Sequence, residues 1–262
     1  MDIIIASSRG RNLREKLAKA HPNPRKLRVY VKPGLRLSSL VGKMNKYLAG
    51  IKPEHMARCH VYLVAGICDI TYRDYEEHYK GNMPYDEVLF NENPNDTFTR
   101  VSLTITQLFE EIMDIGATPC MATIVPCSLD TWNTYRLQQL KTGFLLHHRQ
   151  YQDMQALMVR AIHHLNGFIL GINNAHFMFS PLLASTVMTN LGGNRPPRIH
   201  YSRLADGVHP TEKLKAKWAN YILRAIRNNR DRPNHQHLDT SDEEMAANVN
   251  AALDRSIENI FV

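Results

Sequence analysis

Apolar residues along this chain fall into short continuous runs separated by longer stretches with helical spacing. Ile3-Ile4-Ile5-Ala6 predicts a strand over residues 2–6, running straight into Ser7-Ser8 and a basic helix over 9–20. His21-Pro22-Asn23-Pro24 stops that helix. Leu27–Val31 reads as a second strand, followed by a helix at about 36–50, and 59–65 as a third strand. Asp96 is placed to cap a helix whose apolar face is Phe98, Val101, Ile105, Leu108, Phe109 and Ile112, with Gly116 at its end. Met121–Val125 is a fourth strand, halted by Pro126. Met154, Met158, Ile162, Leu165, Ile169 and Ile172 mark a long amphipathic helix with Asn173 and Asn174 as its C-caps. A short strand is expected at 198–201, and Thr211 opens a last core helix with Leu214, Trp218, Ile222 and Ile226 on one face. Strands alternating with helices predict an α/β fold, a three-layer α/β/α sandwich around a parallel sheet.

Length and composition narrow the class. The chain has 262 residues, enough for one substantial core, with 44% hydrophobic and 22% charged residues. No apolar run approaches a membrane span, and the N-terminus lacks a secretory pattern, so an intracellular protein, cytoplasmic or nuclear, is expected. Cys59, Cys68, Cys120 and Cys127 show no Cys-x-x-Cys spacing and read as reduced core thiols. His147-His148 and His163-His164 lack metal-ligand spacing, so neither metal nor organic cofactor is expected.

Charge divides the chain at about residue 230. Residues 231–262 carry seven acidic side chains against Arg232 and Arg255, net −5, which leaves +12 of the overall +7 on residues 1–230. The organisation expected is therefore a folded domain over 1–230 and an acidic tail over 231–262. Ser241-Asp242-Glu243-Glu244 is a capping-box pattern, and Met245, Val249, Leu253 and Ile257 recur at helical spacing. Such a helix needs a surface to cover, either the chain's own body or a second subunit, so oligomerisation through it is an open possibility.

Candidate chemistry gathers after the strands. In a parallel sheet, ligands bind at the carboxyl ends of the strands, and Ser8, Gly34 and Gly66 all stand just beyond strands. Asp206-Gly207-Val208-His209 places an acid three residues before a histidine, just ahead of a helix start, where it can orient the ring as a general base. Ser7 and Ser8 compete for the nucleophile's place, and either could also be an ordinary helix cap. Asp69 fits a turn held by backbone hydrogen bonds better than a part in the chemistry.

Ala6-Ser7-Ser8, Gly34, Gly66-Ile67-Cys68-Asp69 and Asp206-x-x-His209 together resemble the four blocks of the SGNH, or GDSL-type, hydrolases. The resemblance spans roughly residues 1–230 and implies a flavodoxin-like strand order. It makes Ser8 the nucleophile, with Asp206 and His209 completing the triad. It further implies oxyanion donors at Ser8, Gly34 and Cys68, with Gly66 and Arg9 beside the substrate. Two blocks depart from the pattern: Ala6-Ser7-Ser8 replaces Gly-Asp-Ser, and Cys68 replaces an Asn. A thiol is a weak donor, and losing one oxyanion donor raises the barrier by roughly 2.7–4 kcal/mol.

Two functions follow as expectations. The first is a serine esterase acting on a small ester, one bearing phosphate or carboxylate given the basic segment Arg9–Arg36. The alternative is a catalytically weak or inactive module of the same fold that binds nucleic acid, of mobile-element origin, which the +12 body charge would serve.

Overall fold

The computed structural model describes residues 1–10, 13–74, 87–90, 92–139, 151–189 and 198–231. From the amino end run β1 (Asp2–Ala6), α1 (Leu13–Ala20), β2 (Leu27–Val31), the short helices α2 (Met44–Leu48) and α3 (Pro53–Met56), and β3 (His60–Val64). Next come α4 (Ile67–Ile70), a hairpin of β4 (Tyr72–Asp74) and β5 (Glu87–Leu89), α5 (Pro94–Asp114), β6 (Thr118–Met121), α6 (Leu129–Gln139) and α7 (Tyr151–Ala175). The chain continues through β7 (Met188–Thr189), β8 (Arg198–Ile199) and α8 (Glu212–Arg230).

The main sheet has order β2-β1-β3-β6 and is parallel throughout. Its central strand β1 is buried on both faces, which is why it is a continuous apolar run instead of an alternating one. Ile3 and Ile5 point into one core with Val61, Leu63 and Met121, against α5 and α7. Ile4 and Ala6 point into the other with Tyr62, Val64 and Cys120, where Leu13, Leu17, Trp218 and Ile222 of α1 and α8 cover them. The arrangement is a three-layer α/β/α sandwich. Because β2 and β3 lie on opposite sides of β1, the chain changes direction there, and a crevice opens beyond the carboxyl ends of β1 and β3.

Several expectations need correction. Where a helix was foreseen over 9–20, the described residues form a 3₁₀ turn, Ser8–Gly10, and α1 over Leu13–Ala20. The helix at 36–50 shrinks to α2, because carboxylates from elsewhere hold the preceding loop. Asp69 accepts from the N–H groups of Leu37 (2.8 Å) and Ser38 (3.2 Å), and Glu111 from those of Gly42 and Met44, each at 2.9 Å. Helix α5 starts ahead of Asp96, capped by the Asn93 side chain with Pro94 in its first turn, where a missing N–H costs nothing. The short strand near 198–201 is β8, two residues antiparallel to β7 and outside the main sheet.

The fourth strand, expected over 121–125, is instead β6 over 118–121 and shares only Met121 with that range. Among the described residues no fifth strand pairs with β6; residues 122–128 leave the sheet, and side-chain amides on α7 take over the ladder's task. Asn173 is no C-cap: its Oδ1 accepts from Met121 N–H (2.9 Å) and its Nδ2 donates to Met121 C=O (2.8 Å). Asn166 grips Ile124 in the same two-way manner at 2.6 and 3.0 Å. Gln155 donates to Cys127 C=O (2.8 Å) and accepts from Leu129 N–H (2.9 Å). Helix α7 itself closes with Phe177 at φ 54°, its N–H on Asn174 C=O and that of Met178 on Asn173 C=O. His147-His148 and the amphipathic stretch 241–260 lie outside the described residues.

Candidate active site

One residue, Ser7, separates Ser8 from β1, and Ser8 opens the Ser8–Gly10 turn, so its hydroxyl stands at the carboxyl edge of that strand. Ser7, by contrast, is buried, and its N–H continues the sheet ladder to Val64 C=O at 3.1 Å. Asp206 and His209 sit on a tight loop ahead of α8. The loop is pinched by Ala205 N–H to His209 C=O (2.7 Å) and by pairing of Leu204 with Pro210. Thr211 caps the helix that follows, its side chain accepting from Leu214 N–H. Within the loop Asp206 Oδ1 accepts from the N–H groups of Val208 (2.9 Å) and His209 (2.7 Å). Its Oδ2 lies 2.6 Å from His209 Nδ1. The far ring nitrogen, Nε2, lies 3.2 Å from Ser8 Oγ across 201 positions of sequence.

This chain of contacts assigns the ring's protons. A carboxylate can only accept, so Nδ1 carries the hydrogen and Nε2 is left with a lone pair toward the Ser8 hydroxyl. Burial pushes the Asp206 carboxyl up, but hydrogen bonds from the His209 ring and from the two backbone N–H groups outweigh it and hold it below its ordinary value. Gly207 makes the loop possible. Its φ is 83°, and a Cβ there would stand 2.8 Å from Thr131 Cβ and 3.0 Å from Ser128 O and Trp132 N. The loop is thus pressed onto the start of α6, and Ser128 N–H donates to Gly207 C=O at 2.8 Å. Trp132 sets its ring edge-on to His209, centroids 5.6 Å apart.

Gly66 follows β3 with φ 117° and precedes α4, and a Cβ there would meet Ile124 Cδ1 at 2.7 Å. Cys68 is half-buried on α4 against the core. Asp69 behaves as its sequence context implied. Its buried carboxylate holds Leu37 and Ser38, and burial raises it against the lowering effect of those bonds. Gly34 sits at an exposed left-handed turn, φ 65°, with open space where a Cβ would be. The structure therefore brings together Ser8, Asp206 and His209, and puts Gly34 on a turn whose anchor to the Gly66–Asp69 segment is made by Leu37 and Ser38.

Arg9 was expected beside the substrate, and the structure shows it largely buried. Only 5% of it is exposed, and its guanidinium turns inward to donate to Val125 and Pro126 C=O. Trp132, Ser128 and Thr131 are neighbours of the site that sequence reasoning missed. The one signal was Gly207 itself, which demanded a tightly packed turn. Among the described residues no group of three or more His, Cys, Asp or Glu side chains is placed to hold a metal ion.

The three-layer α/β/α fold is shared with solved structures of hydrolases. A protein described as an acylhydrolase from Bacteroides fragilis superposes with a TM-score of 0.54 at 13% identity, over 87% of this chain and 86% of that one. An acetyl xylan esterase gives 0.50 at 12% identity, over 86% of this chain and 100% of its own. At these identities the likeness is one of fold. No protein-family model and no curated protein sequence matches the chain.

Proposed function

We propose that the protein is a serine hydrolase that cleaves carboxylic esters through an acyl-enzyme, with Ser8 as nucleophile. The observation that carries this is the continuous contact Ser8 Oγ–His209 Nε2, 3.2 Å, and His209 Nδ1–Asp206 Oδ2, 2.6 Å, at the crevice edge of the sheet. Ser8 Oγ attacks the ester carbon as His209 Nε2 takes its proton. The tetrahedral intermediate collapses, and the departing alkoxide leaves as the alcohol with that proton. Water, deprotonated by the same nitrogen, then attacks the acyl-enzyme, and the acid departs as Ser8 regains its proton. Asp206 stays ionised, holds the ring's orientation and balances the imidazolium.

The developing oxyanion is served by the backbone N–H of Ser8, at the start of a helical turn where such groups lack intrahelical partners. The Cys68 thiol and the loop carrying Gly34 supply weaker assistance, so turnover is slower than with an amide donor in place of Cys68. Gly66 shapes the wall beside them. The test uses p-nitrophenyl acetate and butyrate. Wild type releases p-nitrophenol above background, Ser8→Ala loses roughly 10⁴-fold or more of kcat, and Ser7→Ala keeps activity. Equal rates for wild type and Ser8→Ala on every ester would overturn the assignment.

A further inference from the structure

The proposed chemistry makes no use of Arg9, a buried cation next in sequence to the nucleophile. Among the described residues it forms no ion pair with a carboxylate, and its Nε is buried without a hydrogen-bond partner. An unpaired guanidinium in a protein interior carries a desolvation penalty of several kcal/mol, so a neutral, well-packed side chain would serve stability as well or better. The contacts that Arg9 does make explain its presence in another way.

Both carbonyls it holds, Val125 at Nη1 and Pro126 at Nη2 (3.5 Å), belong to the segment that leaves the sheet after β6. Two residues on, Ser128 N–H is bonded to Gly207 C=O, and Gly207 lies between Asp206 and His209. The packing of Gly207 against Ser128, Thr131 and Trp132 leaves no slack at that joint. On its other side the same segment is gripped by Asn166 at Ile124 and by Gln155 at Cys127 and Leu129. A continuous path therefore runs from the turn bearing Ser8, through the Arg9 guanidinium, to the loop bearing the acid and base. Those loops are 201 residues apart in sequence, and Ser8 Oγ meets His209 Nε2 at a distance where a fraction of an ångström decides proton transfer.

We propose that Arg9 is a positioning residue: it locks the nucleophile's turn to the segment that seats Asp206 and His209, and so sets the Ser8–His209 spacing. The role rests on the esterase assignment for its catalytic consequence, but not for the brace itself. A planar guanidinium with two forked donors suits two successive carbonyls, whereas the single ammonium of lysine holds one at a time.

The experiment compares wild type, Arg9→Met and Arg9→Lys by hydrogen exchange and by p-nitrophenyl acetate kinetics. In Arg9→Met, amides in 125–131 and 205–210 should exchange at least ~10-fold faster while 2–6 and 60–64 keep wild-type protection. Its kcat should fall about 10²-fold with KM within about threefold, the signature of a misplaced catalytic group. Arg9→Lys should lie between the two. Wild-type exchange in both segments together with wild-type kcat overturns the proposal. If Arg9→Met does not fold, Arg9→Lys decides: selective loss of protection at 125–131 and 205–210 supports the brace, and none refutes it. If wild type hydrolyses no ester and Ser8 takes no fluorophosphonate label, the esterase assignment fails. The exchange comparison still decides the brace in the same two ways.

Discussion

Replacing Asp206 by Asn separates the orientation of the base from its presence. Asp206 is the hub of the loop: one carboxylate oxygen accepts two backbone N–H groups and the other meets His209 Nδ1 at 2.6 Å. Asn can still accept the backbone pair through its Oδ1, so the loop should keep its shape. Its Nδ2 then faces His209 Nδ1 as a second donor. The ring must shift its hydrogen to Nε2 to accept from it, and Nε2 then meets Ser8 Oγ as a donor instead of a base. Loss of the correct tautomer is worth about 10⁴-fold in kcat, or roughly 5.4 kcal/mol at 1.36 kcal/mol per factor of ten. Stability should fall far less, by about 1 kcal/mol, because solvent screens the charge-assisted bond at this part-buried site.

The sign of the pH effect follows from the same contacts. The carboxyl sits below its ordinary value in the folded state, so its stabilisation is present above the unfolded value, near 3.8, and is lost as pH falls through the lower folded value. The wild type should therefore melt higher than Asp206→Asn at pH 7, and the gap should narrow as pH falls below about 3.8. The assays are p-nitrophenyl acetate turnover and thermal melting across pH. A variant that keeps more than about a tenth of wild-type kcat would show that the 2.6 Å contact does not orient the base.

Two further substitutions probe the surroundings. Gly66→Ala should lower thermal stability by about 2–3 kcal/mol, since φ 117° disfavours a side chain and Ile124 Cδ1 stands 2.7 Å from the new Cβ; an unchanged melt would mean that the wall yields freely. Asp2→Asn tests the opposite edge of the sheet, where buried Asp2 faces His21 at 3.3 Å, His60 at 3.6 Å and Arg230. Burial raises that carboxyl, but His60, Arg230 and the N-terminus together hold it below its ordinary value. The variant should lose about 3 kcal/mol at pH 7 and progressively less in acid, with kcat per folded molecule unchanged.

What the sequence disclosed and what it hid divide along a physical line. The bounds of β1 and β2, 2–6 and 27–31, were readable because both strands are local apolar runs, and Thr211 announced α8 by local capping chemistry. Asp206 and His209 were legible because their contact closes within four residues. Whatever depends on a distant partner was not. No local pattern says that Glu111 will hold Gly42 and Met44, so 36–50 looked helical. Arg9, in a basic segment, looked like a substrate contact because its carbonyl partners lie 116 and 117 positions away.

The amides of α7 show how such a hidden partner shapes the site. Asn166 lies in the stripe of Ile162, Leu165 and Ile169, and Asn173 two turns on beside Ile172, positions where a helix normally buries apolar groups. Each pairs with both the N–H and the C=O of one residue on the departing segment, the hydrogen bonding that a neighbouring strand would have supplied. A fifth strand would have kept residues 122–128 in the sheet plane, away from the Gly207 turn. Amides satisfy the same backbone groups without imposing a strand's direction, so the segment can leave the sheet, meet Arg9 on one side and seat Gly207 on the other with few buried polar groups unpaired. An asparagine on the apolar face of a covering helix is thus a sign that a backbone segment ends its ladder there. In this chain that segment joins the turn bearing Ser8 to the loop bearing Asp206 and His209.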